Sequence, residues 1–136
     1  MTDDCEFCRI VDGDRSAHVL AADDRTVAFL DENPAVTGHA LVVPRVHCEE
    51  LLTVDDATSA AVFETIRNVA NALEATLEPD GFSVFHTSGP LVGTVDHAHV
   101  HLLPRTTDDG VSLSLTRDRL DHDEAAALTD RVRKKL

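Results

Sequence analysis

Lysine is nearly missing from this 136-residue chain: it occurs only as Lys134 and Lys135, against ten arginines. Acids outnumber bases by 25 to 12, and seventeen of the acids are aspartate. A formal charge of −13 argues against nucleic acid as a partner, because duplex binding rests on Lys and Arg neutralising phosphates. The aspartate excess reads as a solubility surface of the kind a salt-adapted (halophilic) source would favour, since salt screens the self-repulsion. No apolar run approaches the roughly 18 residues needed to cross a bilayer, so no membrane partner is expected. The opening Met1-Thr2-Asp3-Asp4 is acidic where a secretory signal would be basic and then apolar, which points to a cytoplasmic location. Cysteine is also scarce. Cys5, Cys8 and Cys48 are an odd number, which argues against a simple disulfide framework. In a cytoplasmic chain, the Cys5-x-x-Cys8 pair suits metal binding or redox chemistry.

There is no internal repeat and no low-complexity linker, and the length suits one domain over residues 1–136. His18 to Ala21 and Thr26 to Leu30 are short apolar runs around a polar turn, as in a β-hairpin. Gly38 precedes a third strand candidate, His39 to Val43, stopped by Pro44. Asp55 to Leu77 repeats apolar residues at three- and four-residue spacing, with Pro79 and Gly81 ending it, and predicts one long helix. Phe82 to His86 and Asp96 to Leu103 are two further strands, the second stopped by Pro104. The tail from Asp123 to Leu136 places acids first and bases last, an order that suits a helix dipole. The expected fold is α+β: an antiparallel sheet of about five strands, one long helix and a C-terminal helix.

The most informative stretch is His97-Ala98-His99-Val100-His101-Leu102-Leu103-Pro104-Arg105. Side chains on a strand alternate faces, so His97, His99 and His101 line one face while Ala98, Val100 and Leu102 face the core. Three imidazoles about 6.6 Å apart in succession form a site rather than a solvated strand. Successive residues on one face satisfy tetrahedral metal geometry poorly. Imidazole is a sound nucleophile for phosphorus, and a carbonyl accepting from Nδ1–H would leave Nε2 free to attack.

This run resembles the histidine triad signature, His-φ-His-φ-His-φ-φ with φ apolar, often followed by Pro-Arg. Three more segments resemble the family in the same order: Cys5 to Val11, Val27 to Asp31, and Gly38 to His47. The resemblance implies the histidine triad fold and a nucleotide hydrolase or nucleotidyl transferase. It would cleave at the α-phosphate of an AMP- or NMP-linked substrate through a covalent His99–nucleotide intermediate. It implies His99 as nucleophile, His101 at the phosphate, Asp31 on the ribose hydroxyls, and Thr94 near the phosphate. Phe7, Ile10, Phe29 and Leu30 match the positions that sandwich the base. Cys5, Cys8, His47 and His97 match a structural zinc site found in some members and in the related galactose-1-phosphate uridylyltransferases, so Zn2+ is the expected cofactor. His97 thereby belongs both to the triad and to the metal set. His39 is expected to support the site from the neighbouring strand, and the family's common homodimer is the expected assembly. Cys48 is read as packing, and His18 and His122 as surface residues without a role.

Two positions depart from the family pattern. Gly93 stands where a glutamine usually contacts the phosphate chain, and His86-Thr87-Ser88 stands where an asparagine is frequent. One well-aimed donor is worth about 2.7–4 kcal/mol in a transition state, and His86 is a candidate replacement for it. Two further readings therefore stand beside the enzyme. One is a zinc-stabilised nucleotide sensor or scaffold whose chemistry has decayed. The other is a plain metal-binding protein using all three triad histidines.

Overall fold

A computed structural model describes residues 4–89 and 96–136. Its elements run α1 (Glu6–Val11), β1 (Val19–Ala22), β2 (Thr26–Leu30), β3 (Ala40–Pro44), α2 (Asp56–Leu77), β4 (Gly81–Phe85), β5 (Val100–Arg105) and α3 (His122–Arg133). The five strands form one sheet in the order β1-β2-β3-β5-β4, and each neighbouring pair is antiparallel. The expected α+β architecture is present, with one addition. The C-x-x-C segment is itself a short helix, α1, whose N-cap Cys5 accepts from the Cys8 amide through Sγ at 3.3 Å.

Alternation along the central strands divides the core in two. Ala28, Ala40, Val42, Val100 and Leu102 face α2, where Val62, Ile66, Val69 and Leu73 cover them. Val27, Phe29, Leu41 and Val43 point the other way and pack with Cys5, Phe7 and Cys8 of α1. One face of the sheet thus carries a 22-residue helix, and the opposite face carries six residues of helix and is free to hold a site. At its start α2 is capped by Asp55, whose carboxylate accepts from the Thr58 amide at 3.2 Å and its hydroxyl at 2.7 Å.

The strand through the triad differs from the expected Asp96 to Leu103. It begins at Val100 and runs on through Pro104 to Arg105. Proline does not stop it because β3 pairs with β5 only from Val100 to Leu102. Beyond Leu102 the strand pairs with β4 alone, Phe82 opposite Pro104, so the missing N–H removes no bond to β3. Pro44 likewise ends β3 rather than lying beyond it. After the strand, Arg105 holds Asp109 with two bonds, at 2.6 and 3.1 Å, and donates to Ser83 and the Val111 carbonyl. Among the described residues, no helix is long and apolar enough to cross a membrane.

Candidate active site and metal centre

Antiparallel register builds a row across the open face of the sheet. Phe29 lies opposite Leu41, Leu41 opposite His101, and His101 opposite Phe85. The first three residues floor a cleft of about 930 Å³ between α1 and the loop after β2. Phe7, Ile10 and Leu30 add apolar walls, Asp31 lies at one side, and His99 and His101 supply imidazoles. The Phe7 ring meets His99 edge-on at 5.1 Å and Phe29 edge-on at 5.5 Å. Such T-shaped contacts are favoured by the ring quadrupole, so Phe7 fixes a wall of the cleft and the attitude of His99 together.

Hydrogen bonds determine the proton position on each ring, because a carbonyl oxygen only accepts and a backbone N–H only donates. His99 donates from Nδ1 to the carbonyl of His97 at 2.8 Å. Its Nε2 is therefore the lone-pair nitrogen in the neutral ring, as the nucleophile reading requires. Nδ1 of His39 accepts from the Ala35 amide at 3.0 Å, so its proton is on Nε2. That nitrogen donates to Nδ1 of His101 at 2.9 Å, which leaves the proton of His101 on Nε2. The two neighbouring rings thus carry opposite tautomers: His99 has a lone pair at Nε2, and His101 has a donor there.

Burial dominates the electrostatics of the third histidine. Desolvation, joined by the nearby His99 and His39, pushes His101 down to about 4, while Asp31 pulls the other way. Desolvation also lowers His39, again opposed by Asp31. His101 is consequently a neutral donor at neutral pH. Asp31 lies 3.4 Å from Nε2 of His39 and accepts from the Asn33 amide at 2.9 Å.

His97 points elsewhere. Fully buried, it donates from Nε2 to the Pro44 carbonyl at 2.7 Å. Its Nδ1 lone pair then faces Sγ of Cys5 at 3.5 Å and of Cys8 at 3.4 Å. Nδ1 of His47 lies 3.2 Å from Sγ of Cys8. The four ligand atoms all fall within 4.8 Å of one another. Tetrahedral zinc, with Zn–S near 2.3 Å and Zn–N near 2.0–2.1 Å, spaces an S/N ligand pair by roughly 3.5 Å. The carbonyl bond behind His97 is the outer-shell support that fixes a ligating imidazole. Burial first, and the adjacent Cys5 thiol after it, raise the Cys8 thiol to about 11. The donor set, spacing and support all fit a metal, so this cluster could hold one.

His86 does not line the cleft. It donates from Nδ1 to the His99 carbonyl at 3.0 Å and accepts at Nε2 from the Leu51 amide at 3.2 Å, so both nitrogens engage the backbone. Thr94, with Gly93, lies outside the described residues. His18, expected to have no role, lines the cleft, as do Glu6, Arg15 and Glu32. Arg15 pairs with Glu6 and Glu32, each at 3.0 Å, spanning the rim between α1 and the loop after β2. Phe85 stacks on His101 at 4.5 Å with 16° between planes. Strand register placed it there, and register is not legible in a strand taken alone. Because the triad imidazoles turn toward two different regions, they do not converge on a shared ion. Cys48 is half-buried, and its carbonyl accepts from the Ala98 amide at 2.6 Å.

A five-stranded antiparallel sheet with alternating histidines over an apolar cleft defines a histidine triad protein. The HIT domain model matches residues 12–108, and the chain belongs to that family. It is 33% identical to the adenylylsulfatase HINT3 of Arabidopsis thaliana over 140 residues, 100% of this chain and 71% of that one. It is 29% identical to the adenosine 5'-monophosphoramidase hnt1 of Schizosaccharomyces pombe, covering 97% and 98% of the two chains. Among solved structures it resembles a Zn-bound histidine triad family protein from Mycobacterium smegmatis, with a TM-score of 0.75 and 32% identity over 94% and 91% of the chains.

Proposed function

We propose that the protein is a nucleotide hydrolase or nucleotidyl transferase acting at the α-phosphate of an AMP- or NMP-linked substrate. The observation that carries this reading is the pair of opposite tautomers at His99 and His101. Nε2 of His99 attacks phosphorus, a P–N bond forms, and the bond to the leaving group breaks. The Nε2–H of His101 is the donor available to a phosphoryl oxygen or to the leaving group. Water, or another acceptor, then takes the nucleotidyl group and frees His99. Asp31 holds the ribose hydroxyls, and Phe7, Ile10, Phe29 and Leu30 pack against the base. Relatives named as an adenylylsulfatase and an adenosine 5'-monophosphoramidase support nucleotide chemistry of this class.

The reading includes a structural zinc held by Cys5, Cys8, His47 and His97, supported by the ligand spacing and the Zn-bound relative. When bound, the ion supplies a crosslink between α1 and the segment leading into β5, with no open position for chemistry. It also includes a homodimer. The 12-residue α3 buries none of its residues and exposes Leu128 and Val132, although isolated helices of about this length are marginal in water. The aspartate-rich surface is read as salt adaptation, so activity is sought at high salt.

The test is hydrolysis of adenosine 5'-phosphoramidate at high salt by the wild type and by His99→Ala, with matched folding controls. AMP release by the wild type alone, with a nucleotide adduct trapped on His99, is the expected result. Nucleotide binding with no turnover and no adduct would instead leave a sensor or scaffold.

A further inference from the structure

We propose that His86 is a positioning residue for the nucleophile, holding the backbone of His99 in place from the edge of the sheet. The inference rests on the reading of His99 as nucleophile and adds a residue to the machinery that sets its geometry. Strand β4 is an edge strand, and its end is built around the triad. Phe85 stacks flat on His101. The next residue, half-buried His86, donates from Nδ1 to the carbonyl of His99 at 3.0 Å. Its Nε2 is held in turn by the Leu51 amide at 3.2 Å, which fixes the ring's tautomer and its rotation.

The bond matters because of where His99 sits. The regular ladder of β5 begins one residue later, at Val100, and β3 pairs with β5 only from Val100 onward. Strand pairing therefore reaches Val100 but not His99 itself. Three other contacts hold the segment: Ala98 N–H on the Cys48 carbonyl at 2.6 Å, the His99 ring on the His97 carbonyl, and His86 on the His99 carbonyl. The first two lie on the N-terminal side of His99; on its C-terminal side Val100 pairs with Val42, and His86 holds the His99 carbonyl itself. Losing His86 leaves that carbonyl without its side-chain donor and lets the peptide plane tilt about the paired Val100, which moves Nε2 relative to a bound phosphorus. A displacement of about 1 Å at a reacting atom can cost on the order of a hundredfold in rate. Substrate contacts in the cleft are not changed, because His86 does not line it.

The test compares wild type, His86→Ala and His86→Asn, with the exposed His122→Ala as control. The asparagine amide can donate where Nδ1 stands. Turnover of adenosine 5'-phosphoramidate is measured beside histidine 15N NMR of the His99 ring. The expected result for His86→Ala is a kcat lower by about 10- to 100-fold, with KM within about twofold. His99 then loses its single Nδ1–H signal pattern, while His86→Asn recovers most of the rate and the pattern. Wild-type kcat and an unchanged His99 spectrum in His86→Ala would overturn the proposal. So would equal losses in Ala and Asn together with equally lowered thermal midpoints, since those report a purely structural part. The spectrum decides the matter even if no phosphoramidate is turned over, whereas the nucleophile reading stands or falls on His99→Ala.

Discussion

The carbonyl of His97 accepts the Nδ1 proton of His99 at 2.8 Å, while the His97 imidazole faces Cys5 and Cys8. One residue thereby joins the candidate metal cluster to the proposed nucleophile. Its side chain is fixed by one site, and its main chain fixes the tautomer of the other.

Metal removal is therefore expected to act on both stability and chemistry. Cys8→Ser should bring bound zinc well below one per chain by elemental analysis and lower the thermal midpoint by about 5 °C or more. Its remaining activity should fall further than the folded fraction does. No zinc in the wild type, with an unchanged midpoint in Cys8→Ser, would show that the cluster is only a pair of reduced thiols beside two histidines.

Three histidines are expected to grade in effect with their distance from the reacting atoms. His99→Ala removes the nucleophile and should abolish turnover. His101→Ala removes a positioned donor, for which losses of about 10²–10⁴-fold are typical. His39→Ala leaves that donor present but releases its tautomer, so the loss should be smaller than for His101→Ala. Steady-state kcat for the three variants checks the order, and a His39 effect larger than the His101 effect would refute the tautomer argument.

Asp31 is expected to act through the ribose. Asp31→Ala should raise KM more than it lowers kcat, and a substrate lacking both ribose hydroxyls should show the same loss on the wild type. A hydrogen bond to a charged group contributes about 1.5–3 kcal/mol. In a double cycle of variant and deoxy substrate, that cost should appear once and not twice. Additive losses would place Asp31 away from the sugar.

Burial of His101 carries a pH signature. Its folded pKa is pushed down to about 4 from an ordinary value of 6.5, by desolvation first and by His99 and His39 after it. Between those values the unfolded chain binds the proton and the folded chain does not, so stability falls as pH drops from about 6.5 toward 4. The contribution is fully present above the higher value. Denaturant midpoints for wild type and His101→Gln should converge as pH falls through that window. Parallel curves would mean that His101 titrates alike in both states.

Much of this was legible in the chain because it is local. The period of α2 and its Asp55 cap, the alternation that turns Val100 and Leu102 inward, and the His-x-His-x-His spacing each depend on a few neighbouring residues. The tautomer of His99 was also foreseeable, since its carbonyl partner lies two residues away. Features that depend on register were not. Phe85 against His101 and His86 against the His99 carbonyl both follow from pairing β4 with β5. Sequence reading offered His86 as a phosphate donor, but the ring's position leaves no nitrogen facing the cleft. Pro104 looked like a strand stop because proline lacks an N–H, but pairing with β3 does not reach past Leu102, so no bond to β3 is lost.

By itself, the sequence determined which side chains could do chemistry, because residue type and spacing set nucleophilicity, ligand softness and the face each side chain takes. Only the tertiary structure decided how the histidines divide their work. Alternation placed His97 and His99 on one side, but the bond His97 donates to the Pro44 carbonyl and its contacts with the cysteines turn it inward. His39 and Phe85 converge on His101 from the two flanking strands. A proton's place on an imidazole is set by the partner that the other nitrogen finds, and in this fold most of those partners are distant in sequence.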